Sequence, residues 1–127
     1  MLVLGLSLVS FAVAGLAVDG TRAFLLRRTL QNAADGATLA AASEIDTTSY
    51  YASGGRRITL DDAAAQRTAA RWLGLRGIRA RASIGASSDS IRVVLRSEMP
   101  TSFLGLVGID RVSVAAVSHS EPVPGPP

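Results

Sequence analysis

The sequence contains no cysteine and no lysine, and its first 18 residues carry no charged side chain. Without cysteine, the chain has no disulfide framework, no cysteine-ligated zinc or iron–sulfur site and no thiol nucleophile. Its single histidine, His119, excludes a metal site built from several histidines. All 13 basic residues are arginine, and every charged side chain lies at or after Asp19. A chain of 127 residues has room for one domain.

Residues 1–18 read MLVLGLSLVSFAVAGLAV, in which two serines are the only polar side chains. A helix needs about 20 mostly apolar residues to span a bilayer, within a range of about 17 to 25. We interpret this segment as a retained transmembrane helix. Two alternatives stay open: a cleavable signal peptide, since the Ala-Val-Ala at 12–14 resembles a cleavage site, and a buried core helix.

The orientation of this span is ambiguous from charge alone. Arg22, Arg27 and Arg28 follow it closely, and the positive-inside rule applied to this flank places the C-terminal part in the cytoplasm. The rule compares both flanks, so a basic leader ahead of Met1 would reverse the orientation.

After the span, apolar residues recur three and four positions apart through residues 19–46, which predicts an amphipathic continuation of the same helix. The whole helix then runs to about Ile45 and is roughly 65 Å long. The small residues on its buried side have two interpretations. They allow close approach by a sheet, a helix or a neighbouring subunit, or the alanines are present because alanine stabilises a helix. The candidate assembly residues are Asp19, Arg22, Leu26, Leu30, Ala33, Ala37 and Ala41.

Residues 47–120 predict a small α+β domain, which opens with a loop over residues 47–57 that contains Gly54 and Gly55. Thr59 and Asp62 approximate a capping box ahead of a second helix, which Gly74 or Gly77 can end. The expected inner face of this helix comprises Ala65, Ala69, Trp72 and Leu73. We interpret Trp72 as a core anchor in preference to a ligand platform.

From Ile78 the apolar period changes to two, which predicts two antiparallel strands around the turn-like residues 85–90. Pro100 breaks the second strand, and residues 103–107 predict a short helical turn that Gly108 closes. A third strand follows over residues 110–118, and the proline-rich residues 121–127 predict a disordered tail. The fold class is therefore α+β, a three-stranded antiparallel sheet covered by the long N-terminal helix and the second helix.

No motif of an enzyme is present: the sequence lacks a Gly-rich phosphate loop, a GxSxG elbow and an HExxH pair. The start of the second helix explains the adjacent Asp61 and Asp62 better than acid–base catalysis does. The histidine at 119 lies between two serines with no orienting carboxylate nearby in sequence. We therefore predict a non-enzymatic protein with no catalytic residue, metal ligand or cofactor.

Ten arginines and five acidic residues lie between Arg56 and Arg111, which makes this part of the chain basic. The predicted basic face of the sheet consists of Arg79, Arg81, Arg92 and Arg96, with Arg111 as a further candidate. Such a face either docks an acidic partner, an anionic envelope polymer or nucleic acid, or is a solvated surface that discourages aggregation at strand edges. We favour the solvated surface. Nucleic acid is not expected, because no aromatic residues interleave with the arginines.

The segment GLAVDGTRAFLLRRTLQNAADGATLAAASEID resembles the N-terminal signature of TadE/TadG-like proteins of tight-adherence (Flp) pilus systems. Those proteins show an apolar span, a Val-Asp pair, an arginine soon after and an alanine-rich Leu-Gln-Asn-Ala-Ala-Asp stretch. The later segment MPTSFLGLVGIDRVSVAAVSHSE resembles the strands and the Pro-Thr-x-Phe-Leu connector of the family, especially of its actinobacterial members. The matching N-terminal residues are Val18, Asp19, Arg22, Leu30, Gln31, Asn32, Ala33, Ala34 and Asp35.

The resemblance implies a pilin-like fold and a structural role as a minor pilin or pseudopilin that primes or completes a Tad pilus. It implies a single-pass membrane protein whose domain is extracytoplasmic, or extracellular in a pilus. The implied partners are other pilins or pseudopilins, the inner-membrane assembly platform and the lipid bilayer. The sequence shows no prepilin-peptidase glycine junction before the span and no glutamate near its start, so an uncleaved anchor is a further interpretation. The alternative function is an anchored extracytoplasmic module that captures an acidic ligand on its arginine face.

Overall fold

A computed structural model describes residues 1–123, and its N-terminal helix dominates the architecture. Helix α1 spans Leu2–Ala42, 41 residues or about 62 Å at 1.5 Å per residue. The prediction of one helix through both halves is confirmed. The helix ends before the predicted Ile45, because Ile45 leaves it to form an isolated antiparallel bridge with Leu60.

The first part of α1, up to residue 14, stands clear of the rest of the molecule. Leu2, Leu8 and Phe11 are 92%, 74% and 74% exposed. Among the described residues, α1 is the one helix long and apolar enough to cross a membrane. This exposure contradicts the buried-core-helix interpretation, because a core helix is covered by side chains of its own chain.

A short helix lies where the sequence predicted a loop. Helix α2 spans Thr47–Ala52, and the carboxylate of Asp46 accepts hydrogen bonds from the N–H groups of Thr48 and Ser49 in its first turn. The loop prediction is wrong over these six residues, because Asp46 satisfies N–H groups that a helix start leaves free. Gly54 and Gly55 follow with φ angles of 64° and 77°, a conformation that glycine adopts without steric cost.

Helix α3 spans Asp62–Leu75, and its inner face agrees with the predicted spacing. The buried residues are Ala65, Ala69 and Leu73. The capping box predicted from Thr59 is wrong: the N-cap is Asp61, whose side chain accepts a hydrogen bond from the N–H of Ala64. Gly77, with φ of 60°, follows the end of the helix.

Three strands form one antiparallel sheet in the order β1-β2-β3. Their bounds are Arg81–Ser87 for β1, Ser90–Pro100 for β2 and Arg111–Ser120 for β3. Strand β1 begins later than the predicted Ile78, because the chain still turns after Gly77, where the N–H of Ala80 bonds to the carbonyl of Ile78. The β1–β2 turn is tighter than predicted, since Ser87 already pairs with Ser90.

The inner face of the sheet packs on α1 and α3 around one core. Ile91, Val93 and Leu95 of β2 are at most 1% exposed. This arrangement confirms the α+β, pilin-like architecture of a long N-terminal helix that carries a three-stranded antiparallel sheet. The extent of the membrane part, residues 1–18, and of the exported domain, residues 47–120, stays a prediction.

Strand β3 runs along the second half of α1. The hydroxyl oxygens of Thr38 and Ser118 lie 3.0 Å apart, and the side chain of Gln31 donates to the carbonyl of Val117. At the far end, the N–H of Val123 donates to the carbonyl of Ala42, so the first residues of the predicted tail lie at the end of α1. Residues 124–127 of that tail lie outside the described residues.

Candidate functional site

The most unusual side chain of the molecule is the carboxylate of Asp19, directly after the apolar span. Asp19 is 1% exposed. Its two oxygens accept hydrogen bonds from three consecutive backbone N–H groups of the β2–β3 connector (residues 101–110): Ser102 at 2.9 Å, and Phe103 and Leu104 at 2.8 Å each. A buried carboxylate is costly unless donors surround it, so these three N–H groups are what allow it to be buried here.

The backbone of the connector itself offers these three N–H groups no carbonyl partner, because of how the connector folds. Pro100 ends β2, and a 3₁₀ turn, Leu104–Val107, begins with no side-chain cap from its own residues. The first N–H groups of a helical turn have no partner within the turn and favour an anion. Asp19 supplies that anion from a different part of the chain. Gly108, with φ of 88°, closes the turn, as the sequence predicted.

The hydrogen bonds keep Asp19 ionised. The N–H of Leu104 contributes most, followed by that of Ser102, and together with Phe103 and Arg22 they hold the pKa of Asp19 below its ordinary value of 3.8. Burial acts in the opposite direction and is outweighed. The site therefore holds a negative charge at neutral pH.

Arg22 completes the site one turn further along α1. Its Nη1 lies 3.8 Å from Oδ1 of Asp19 and donates a 2.8 Å hydrogen bond to the hydroxyl of Ser102. The side chain of Arg22 is 44% exposed, so solvent screens its ion pair with Asp19. The hydrogen bond from Arg22 to Ser102 therefore contributes more to holding the connector than the ion pair does. The Asp19 and Arg22 side chains thus both hold the connector.

The connector also packs on the last turn of the span. Gly15 is buried under Phe103, and a Cβ atom at position 15 would lie 2.5 Å from the Cβ of Phe103. Real side chains do not approach so closely, so this contact requires glycine on the helix. The sequence analysis missed Gly15 and the connector residues whose N–H groups donate to Asp19. Two features of the sequence could have indicated this site: a glycine one turn before Asp19, and a short helical turn with no capping residue of its own.

The other predicted assembly residues lie in the core of this chain. Leu30, Ala33, Ala37 and Ala41 are at most 4% exposed, and Leu26 is half-buried. A Cβ atom added to Gly36 would overlap the ring of Trp72 on α3. The small residues therefore admit the sheet and α3 of the same chain, and Trp72 packs against the core as predicted. A direct role of these residues in assembly stays a prediction.

The predicted basic residues lie on the outer side of the sheet and are exposed. Arg81 of β1 pairs directly with Arg96 of β2, and Arg92 pairs with His119 of β3. Arg79 precedes β1, and together with Arg81 and Arg96 it lines a shallow, open depression. Glu98 lines the same depression and forms a 3.3 Å ion pair with Arg111, which begins β3. None of the direct cross-strand partners of Arg81, Arg92 and Arg96 is acidic, and Glu98 is the acidic residue closest in the register.

Within residues 1–123, no group of three or more histidine, aspartate or glutamate side chains could hold a metal ion. Ser118, beside His119, bonds to Thr38, and the carboxylates of Asp46 and Asp61 cap helices. Hydrogen bonds from the hydroxyl and the N–H of Ser49 hold the pKa of Asp46 below its ordinary value. These acidic groups have structural partners that account for them.

Residues 1–44 match the family model described as Flp pilus-assembly TadE/G-like. The match covers the apolar span, Asp19, Arg22 and the rest of α1. The N-terminal part of the resemblance is confirmed, and the match does not distinguish actinobacterial members from others. A search of the curated proteins and a search of the solved structures each gave no significant match.

Proposed function

We propose that this chain is a non-enzymatic, membrane-anchored subunit of a Tad (Flp) pilus, a minor pilin or pseudopilin that primes or completes the filament. The observation that carries the proposal is the buried contact between Asp19, which lies within the segment that matches the TadE/G-like model, and the connector. It fastens the end of the apolar helix to the folded domain. A subunit whose helix moves from lipid into a filament needs its domain to move with it.

In this proposal the chain crosses the cell membrane once through residues 1–18, and its domain is extracytoplasmic. Its partners are other pilins or pseudopilins, the inner-membrane assembly platform and the bilayer. Since Leu30, Ala33, Ala37 and Ala41 are covered by the domain itself, they act by holding the domain on the helix. The likeness of the connector to actinobacterial members remains part of the proposal.

The test is complementation of a gene deletion in the host bacterium. We expect deletion to reduce the number of pili, and wild-type protein to restore it. Asp19→Asn keeps the shape of the side chain but removes the charge that the connector N–H groups bind, so it should restore fewer pili. The matched control is Asp35→Asn on the same helix, where the exposed carboxylate bonds to Gln31 alone among the described side chains. Unchanged piliation after deletion would contradict the proposed function.

The alternative, an anchored module that captures an acidic ligand, is favoured by one observation. Arg81 and Arg96 are direct cross-strand partners, and like charges placed opposite each other destabilise a sheet. An anionic ligand would relieve this repulsion. We would measure binding of polyphosphate to the full chain in uncharged nanodiscs at rising salt, because phosphate contacts weaken with salt.

A variant with Arg79, Arg81, Arg92 and Arg96 replaced by glutamine should lose this binding if the face captures anions. The control variant replaces Arg56 and Arg57, which are exposed and lie outside the sheet. If both variants bind polyphosphate as the wild type does, the arginine face is a solvated surface.

A further inference from the structure

The β2–β3 connector presents a second apolar surface beside the span. Leu106 and Val107 are 84% and 73% exposed, and Ile109 is 47% exposed. Asp110, the last residue of the connector, is its one charged side chain, and residues 101–109 carry no charge. Three exposed aliphatic side chains within nine uncharged residues are unusual for a surface that faces only water.

The position of the connector along α1 places this surface at the level of the bilayer boundary. Phe103 covers Gly15, which lies within the apolar residues 1–18. At 1.5 Å per residue, Gly15 is about 4.5 Å before the end of that segment. If residues 1–18 occupy the hydrocarbon, whose thickness of about 30 Å they nearly match, the connector cannot stay clear of the membrane.

The backbone of the connector is suited to an apolar environment, where an unpaired N–H group is costly. Asp19 accepts from the N–H groups of Ser102, Phe103 and Leu104. Further along, backbone N–H groups bond to carbonyls of the connector itself. These pairs are Leu106 to Phe103, Gly108 to Gly105 and Ile109 to Leu104. Contact with lipid therefore leaves these N–H groups satisfied.

We propose that the connector is an interfacial membrane anchor that inserts Leu106 and Val107 into the headgroup–acyl boundary beside the transmembrane helix. The occupant of this apolar surface is the lipid bilayer, because the surface is continuous with the exposed apolar span through Phe103 and Gly15. Arg22, bonded to Ser102, lies at the level of the lipid phosphates. The inference rests on the proposed membrane anchoring of residues 1–18.

This second contact fixes the orientation of the domain on the membrane. Strand β2 runs from the connector to the β1–β2 turn, 11 residues or about 35 Å away. The carbonyl of Ser88 in that turn accepts from the N–H of Leu60, near the far end of α1. One end of the sheet therefore lies on the lipid, and the other points away from it.

The absence of cysteine allows a direct test with single-cysteine variants of the full chain. Leu106→Cys, Leu8→Cys and Ser88→Cys are labelled with an environment-sensitive fluorophore and reconstituted into phosphatidylcholine–phosphatidylglycerol vesicles. Lipids brominated either near the headgroup or deep in the acyl chain quench the label by depth. Val107→Cys is a second connector variant, and far-UV circular dichroism checks that each variant is folded.

We expect the label at Leu106 or Val107 to lose fluorescence with shallow bromines, and the label at Leu8 with deep ones. The label at Ser88 should keep its fluorescence with both. Quenching at Leu8 without quenching at either connector site overturns the anchor while the transmembrane span survives. If Leu8 is not quenched either, the membrane anchoring fails as well. The connector labels could instead move to an apolar environment as the protein density in the vesicles rises, with no quenching by brominated lipid. That result would show that a second copy of the chain covers them, which also overturns the anchor.

Discussion

The carboxylate of Asp19 accepts a 2.8 Å hydrogen bond from the N–H of Leu104, 85 residues further along the chain. This bond joins the end of the apolar span to the loop between the last two strands. Because Asp19 lies on a helix that continues to Ala42, the helix and the sheet are fastened at the span as well as in the core. The apolar span and the domain therefore move together.

Acid should weaken the fold through Asp19. Its pKa in the folded protein is lowered below 3.8, so its contribution to stability is complete above the unfolded pKa and is lost as pH falls through the folded value. We expect the thermal midpoint in mild detergent to be flat from neutral pH down to about 5 and to fall below about 4. Circular dichroism melts from pH 7 to pH 2 measure this.

Asp19→Asn should lower the midpoint at pH 7 and flatten the decline below pH 4. Asp46 has the same direction of pKa shift, so Asp46→Asn should flatten the decline separately. A steep acid transition that persists in the double variant would show that other groups cause it.

Gly36 and Gly20 on α1 should respond oppositely to alanine. A Cβ atom at Gly36 overlaps the ring of Trp72, whereas one at Gly20 meets nothing within 4 Å. Gly36→Ala should therefore reduce the free energy of unfolding by roughly 1–3 kcal/mol through overpacking. Gly20→Ala should raise it by up to about 1 kcal/mol, because alanine is the better helix former. Guanidinium unfolding in detergent gives both values, and equal responses would contradict the α1–α3 packing.

Gly15 and Phe103 should be coupled. Gly15→Ala places a methyl group against Phe103, so we expect it to lower the thermal midpoint. Phe103→Ala should remove the obstruction, so that adding Gly15→Ala to Phe103→Ala has little further effect. A double-mutant cycle of the four proteins measures the coupling. Additive effects would show that the two residues do not touch.

Alanine substitutions at Leu30 and Leu39 compare the stability contributed by the inner and outer sides of α1. Leu30 is 1% exposed and Leu39 is 69% exposed. Leu30→Ala should reduce the free energy of unfolding by roughly 2–5 kcal/mol, because it opens a cavity in the core. Leu39→Ala should change it by less than about 0.5 kcal/mol. Similar losses for both variants would mean that α1 is rotated relative to the sheet.

Patterns of local origin were predictable from the sequence. The long helix, the three strands and the turn closed by Gly108 follow from apolar periods, proline and glycine, which act on neighbouring residues. The errors also have local causes. A loop was expected where Asp46 caps α2, and the cap of α3 was assigned to Thr59 although Asp61 makes the hydrogen bond. In both cases an aspartate caps the helix, and the sequence analysis did not assign the cap to it.

The candidate site was predictable only in part. Asp19 and Arg22 were named because they belong to a recognisable N-terminal pattern, but nothing local indicates that their partners are Ser102, Phe103 and Leu104. Gly15 looked like one more small residue of an apolar span. The three atoms nearest to a Cβ at position 15 all belong to Phe103, which is far away in sequence.

The sequence by itself determined that the chain has an apolar head, a long helix and a basic α+β domain, because composition and period dictate which segments avoid water and which surfaces face it. Only the tertiary structure determined which groups the charged side chain of Asp19 binds. A buried carboxylate needs donors within hydrogen-bond distance, and those donors come from a loop between β2 and β3 that lies about 85 residues away in sequence.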